Sequence, residues 1–398
     1  MSDRKTVGRV LASYAFGSVA NGLPWPLLLV LVWQEYGDGP YGAWAVGLAG
    51  AARMLPYVLL SWAVGSLGDH VRRDRLVRAT LVLRVVFLAA AAFAVEQDAV
   101  LVAVVMASLA VTASTPAYPA IAAAIPRLAG SDRERATELL VTIEVSAWVV
   151  GPALGGLLLA PVTRDWTFAI AAGMALVALL LIRGTRIPSP LDRAPDAVSG
   201  MLRTVLHCGP ARGALGLAGL LNLVLAITGV VLLPLSHETW MLGDTGFGIA
   251  TACLGFGALG APVWRHVRAT RSHGLVLLAA ALVVVAATPV PWVALPLLAM
   301  AGATGVVVES RLTQTIQDAV PDHYRAGALG VADCCMVSGA LVGSLLAPVL
   351  TRVAGARPSL LLIAALCLAP MVAAMWRSSA RAPSPAPVGA VHEEALAA

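Results

Sequence analysis

Residues 65–75, GSLGDHVRRDR, crowd five charged side chains into a chain in which charged residues make up only 12% of the total. On either side the sequence runs apolar for about twenty residues, the length that crosses a hydrocarbon core. A charged turn between two such runs is the mouth of a helical hairpin in a membrane. Gly65 and Gly68 allow two helices to approach closely there, and Asp69 is suited to meet a neighbouring helix N-terminus or an arginine.

The whole chain of 398 residues is 59% hydrophobic, above the roughly 45–50% of soluble domains, so a soluble enzyme is excluded. The net charge of +5 is read as membrane topology and not as nucleic-acid binding. Five cysteines, Cys208, Cys253, Cys334, Cys335 and Cys367, offer neither a disulfide framework nor metal-ligand spacing. The basic start Met1–Arg9 is followed by no small-residue cleavage site, so the first apolar run reads as an uncleaved span.

Apolar segments of helical length fall near 10–33, 43–66, 77–95, 99–124, 138–161 and 166–183, then near 214–236, 246–264, 273–290, 292–314, 326–350 and 357–376. The expected architecture is all-α and integral to the membrane, with twelve transmembrane helices in two pseudo-symmetric six-helix bundles. Residues 1–183 form the first bundle, 184–212 a cytoplasmic linker with a short amphipathic piece, and 213–380 the second bundle. Residues 381–398, low in aromatics and rich in Pro and Ala, form a disordered cytoplasmic tail. The halves echo one another: Pro126 through Arg135-Ala136 leads to Ala160-Pro161, and Pro321 through Arg325-Ala326 leads to Ala347-Pro348.

Orientation follows from the basic residues. With the N-terminus inside, 21 of the 27 lie in cytoplasmic segments, three on the opposite side and three within spans. Both termini are therefore expected in the cytoplasm, and the location is a bacterial cell membrane.

Gly65 through Arg73 resembles the loop between helices two and three of the major facilitator superfamily, differing at His70, Arg72 and Asp74. The stretch Ala52-Arg53-Met54-Leu55-Pro56 resembles a segment common in the branch of bacterial siderophore and drug exporters. In the fifth span, Gly151, Pro152, Gly155 and Gly156 resemble a glycine–proline signature of proton-coupled exporters in the same superfamily. The resemblance implies the major facilitator fold, a gating role for Gly65, Gly68, Asp69 and Arg73, and export. Physically, Pro152 removes a backbone donor and the glycines let a neighbouring helix pack flush.

Ionisable groups inside spans are costly and tend to line cavities. Glu144 lies nine residues past Arg135, about 13 Å deep, and Asp333 eight past Arg325, about 12 Å. They occupy comparable places on the fifth and eleventh spans. Glu144, Trp148, Gly151 and Gly155 share one helical stripe. Arg53 sits near mid-membrane, Arg84 is shallower, Arg311 is placed to snorkel, and Glu309 lies deeper than Arg311. The first span breaks at Asn21-Gly22-Leu23-Pro24, where Asn21 and freed carbonyls face either substrate or a packing kink.

Glu144, Asp333, Arg53, Glu309 and Asn21 are thus the candidate proton and substrate cavity. The expected function is proton-coupled export of a small organic molecule by alternating access, by a monomer in the lipid bilayer with no cofactor beyond the proton gradient. Import of a small metabolite is the alternative in the same fold. A membrane-embedded enzyme or an assembly protein is the alternative outside it, and the sequence carries no catalytic constellation for either.

Overall fold

A computed structural model describes residues 4–36, 54–55, 57–61, 64, 66–158, 166–190, 198–264 and 271–379. All regular structure among the described residues is helical. That is what the hydrocarbon core demands, because an apolar run in lipid must satisfy every backbone N–H and C=O internally. Six helical runs are long and apolar enough to cross a bilayer, and four shorter apolar helices lie among them.

The first span is two helices, α1 (Arg4–Gly22) and α2 (Trp25–Tyr36). The second falls largely on residues outside those described, as do Arg53, Gly65 and the tail. The turn of residues 65–75 contains α3 (Leu67–His70) and leads into α4 (Arg73–Glu96). The fourth span, expected as one run, is α5 (Val100–Ser114) and α6 (Ala117–Ala129), broken ahead of Pro116, which lacks the amide that would continue the ladder. Then come α7 (Arg133–Leu157) and α8 (Thr167–Ile182). The amphipathic linker piece is α9 (Val198–His207), with Met201 and Val205 buried.

The later helices are α10 (Gly209–Pro234), α11 (Gly243–Trp264), α12 (Arg271–Ala287), α13 (Pro291–Ala319), α14 (Asp322–Ala354) and α15 (Ala356–Ser379). Between α14 and α15 the chain turns on Gly355 alone, at φ +92°, a conformation that favours glycine. Helices α1, α4, α5 and α8 pack mainly within one group, α10 to α15 within another, and α7 packs both on α1 and on the second group. The two groups meet through α3 and α6 against α14, and through α7 against α11 and α13.

Small residues set the close approaches within each group. On α7, a Cβ at Gly151 would lie 2.8 Å from the Gly22 Cα, and one at Gly155 would overlap the Leu23 carbonyl oxygen. On α14, Gly339 and Gly343 sit in the same way against the backbone of Gly219 and Leu223 in α10. The fifth span therefore rests on the first as the eleventh rests on the seventh. The glycine signature and the break in the first span are two sides of one interface.

Candidate functional site

The charged turn is a latch between the two groups of helices. Gly68 lets α3 lie against α6 and α14, since a Cβ there would come within 2.9 Å of the Ala326 Cβ. At that distance the buried Asp69 carboxylate accepts the amide N–H of Ala326 at 3.0 Å and of Gly327 at 2.7 Å. Arg73, with no exposed surface, donates to Asp69 at 3.3 Å, to the Asp322 carboxylate at 3.2 Å and to the Asp322 carbonyl at 3.0 Å. It also donates to the carbonyls of Gly68, Ala123 and Pro188.

Asp322 further receives Arg127 at 3.2 Å and Arg325 at 2.8 Å. Beside the latch, Arg133 pairs with Asp318 at 2.7 Å, and Gln317 donates to the Ala122 carbonyl at 2.8 Å. Burial pushes the Asp69 carboxyl up to about 6, against the opposing pull of the Gly327 and Ala326 amides and of Arg73.

Deeper between the groups lies a cavity of about 290 Å³. Its walls are mostly apolar, and its charged lining groups among the described residues are Glu144 of α7, Glu309 of α13 and Asp333 of α14. The Ser61 hydroxyl donates to Asp333 at 2.9 Å. Asp333 stands six residues beyond Gly327 on α14, about 9 Å along the helix. One helix therefore carries both the latch amide and a cavity acid.

A second, water-sized chamber of about 30 Å³ lies within the first group, and Glu144 and Trp148 line both spaces. The Tyr14 hydroxyl donates to one Glu144 oxygen, and the Trp148 indole to the other at 3.3 Å. The expected stripe is therefore real, and it faces α1. Arg84 also lines the chamber, 2% exposed and without an ion pair among the described residues. Gly17 makes its room, because a Cβ there would overlap the guanidinium.

Of the expected cavity residues, Glu144, Glu309 and Asp333 come together around one space. Asn21 shares the small chamber with Glu144 and is not among the residues lining the large cavity; its amide donates to the Ser114 hydroxyl at 2.6 Å. Pro152 and Gly156 lie within α7 beside Gly151 and Gly155. Arg84 is the residue whose place the sequence did not reveal, since the glycine that makes room for it belongs to another helix. Arg311 reaches outward as expected, 38% exposed and 3.6 Å from Glu134.

Comparison with known proteins places this geometry. The family model described as Major Facilitator Superfamily matches residues 10–332. The multidrug efflux pump Tap of Mycobacterium tuberculosis is 27% identical over 380 residues, covering 89% of this chain and 88% of that protein. The enterobactin exporter EntS of Salmonella paratyphi A is 28% identical over 166 residues, covering 40% of this chain and 39% of its own length. A structure of the E. coli fucose:proton symporter FucP superposes with a TM-score of 0.74 at 16% identity, over 93% of this chain and 98% of the other, a likeness of fold.

Proposed function

The chain belongs to the major facilitator superfamily, and we propose from this that it is a proton-coupled exporter of a small organic molecule. It is a multi-pass membrane transporter and not an enzyme. The direction of transport is taken from the relatives named as an efflux pump and an exporter. The site of action is a bacterial cell membrane, with both termini and the latch on the cytoplasmic face, in keeping with the distribution of basic residues.

One observation carries the mechanism. Helix α14 holds Gly327 in the latch and Asp333 in the cavity, so a shift of α14 that reshapes one strains the other. Rocking of one helical group against the other breaks the latch bonds and opens the cavity to the cytoplasm. Glu144 is the coupling group in this reading. It belongs to the cavity and to the Arg84 chamber alike, so a proton gained or lost there is felt by substrate and protein together. No cofactor takes part, and the monomer is the working unit.

The test is proton flux in liposomes holding the purified full chain, read with a trapped pH-sensitive dye. A panel of cationic, anionic and neutral drug-like compounds is added in turn. Compound-dependent proton movement in the antiport direction is expected. Movement in the symport direction contradicts export, and proton-independent transport contradicts the coupling.

A further inference from the structure

The large cavity and the small chamber share a wall but differ in charge. Around the large cavity the charged lining groups are the carboxylates Glu144, Glu309 and Asp333, and no Arg, Lys or His lines it among the described residues. The buried Arg84 guanidinium belongs to the chamber on the other side of Glu144. Glu144 takes donors from Tyr14 and Trp148 there, whereas Asp333 takes a single hydroxyl, that of Ser61. Neither Asp333 nor Glu309 has a cationic partner among the described residues.

We propose that the large cavity binds amphipathic organic cations, with the cationic centre between Asp333 and Glu309 and the apolar body against Trp148, Leu254, Val306 and Met336. This rests on the reading of the chain as a transporter and adds the charge class of its cargo. A carboxylate without a counter-charge in an apolar space is costly, and a cation entering the space relieves that cost. An anion entering the same space meets three acids and, among the described residues, no base. The apolar walls contribute affinity without direction, so they admit varied bodies of suitable size.

The test is binding of tetraphenylphosphonium and of tetraphenylborate, ions of one shape and opposite charge, to the purified full chain in detergent. The two isotherms are measured separately, each against protein-free micelles. Saturable binding of tetraphenylphosphonium, at least about tenfold tighter than any of tetraphenylborate, is expected. Asp333→Asn and Glu309→Gln should each weaken it by about tenfold or more, with Asp333→Glu restoring part of the loss.

Equal binding of the two ions, no saturable binding of either, or wild-type affinity in the Asp333→Asn/Glu309→Gln double variant overturns the proposal. The wild-type comparison needs no variant, so a misfolded mutant leaves the question answerable. Proton flux driven only by neutral or anionic compounds would retain the exporter and remove the cation seat.

Discussion

Gly327 donates its backbone N–H to the Asp69 carboxylate at 2.7 Å, joining residues 258 positions apart in the chain. The bond fastens the charged turn to the helix that carries Asp333 into the cavity. The latch contact and the Asp333 wall of the cavity are thus carried by one helix.

Asp69→Asn keeps the shape of the side chain but replaces one carboxylate oxygen with an NH2 donor, so either the Ala326 or the Gly327 amide loses its acceptor. Transport should fall by about tenfold or more, since a buried backbone donor left without an acceptor costs about 1–3 kcal/mol. Insertion and abundance should stay near wild type, because the turn's arginines still set topology. Flux assays beside immunoblots of membranes check both, and normal transport would reduce the turn to a topology signal.

The latch should tighten as pH falls. In the latched state Asp69 takes up a proton near pH 6, while in an opened, solvated state it takes one up near the ordinary value of about 4. The latched form therefore binds more protons between those values, and acid favours it. Spin labels placed across the latch and measured by pulsed EPR should show the short-distance population rising as pH drops through this window. Asp69→Asn should flatten that dependence. A short-distance population that shrinks in acid would contradict the assignment.

Gly155→Val should break the seat of α7 on the first span, because its side chain must overlap the Leu23 carbonyl. Overpacking of this kind costs about 1–3 kcal/mol or more. A lowered unfolding temperature in detergent is the expected readout. Gly173→Ala, at a position with open space around its Cβ, is the control and should not lower stability.

The spans were legible because lipid permits only internally bonded backbone, so apolar length and Pro or Gly punctuation carry the fold. The break after Gly22 was signalled by Pro24 and Pro26, but Pro116 gave no warning inside an otherwise unbroken apolar run. Asp69 was legible with an arginine or a helix N-terminus as its expected partner, and it meets Arg73 and two amides in the first turns of α14; that those amides are Ala326 and Gly327 had no side-chain signature. The stripe of Glu144, Trp148, Gly151 and Gly155 was readable from helical periodicity. Arg84 was not, because its place depends on Gly17 and Tyr14 of another helix, a tertiary fact. Asn21 turned to Ser114 for the same reason.

The coupling role of Glu144 is the centre of the account. Glu144→Gln keeps the shape and can still accept from Tyr14 and Trp148, but it cannot carry a charge. The decisive measurement compares two modes of transport in liposomes, using whichever compound of the panel drives proton flux in the wild type. Exchange between equal pools should survive in the Glu144→Gln variant, and uphill movement driven by a pH gradient should be lost. Asp333→Asn should impair both modes, because it weakens binding itself. Uphill transport at the wild-type rate in Glu144→Gln would contradict the account, as would the uncoupled pattern appearing only in Asp333→Asn.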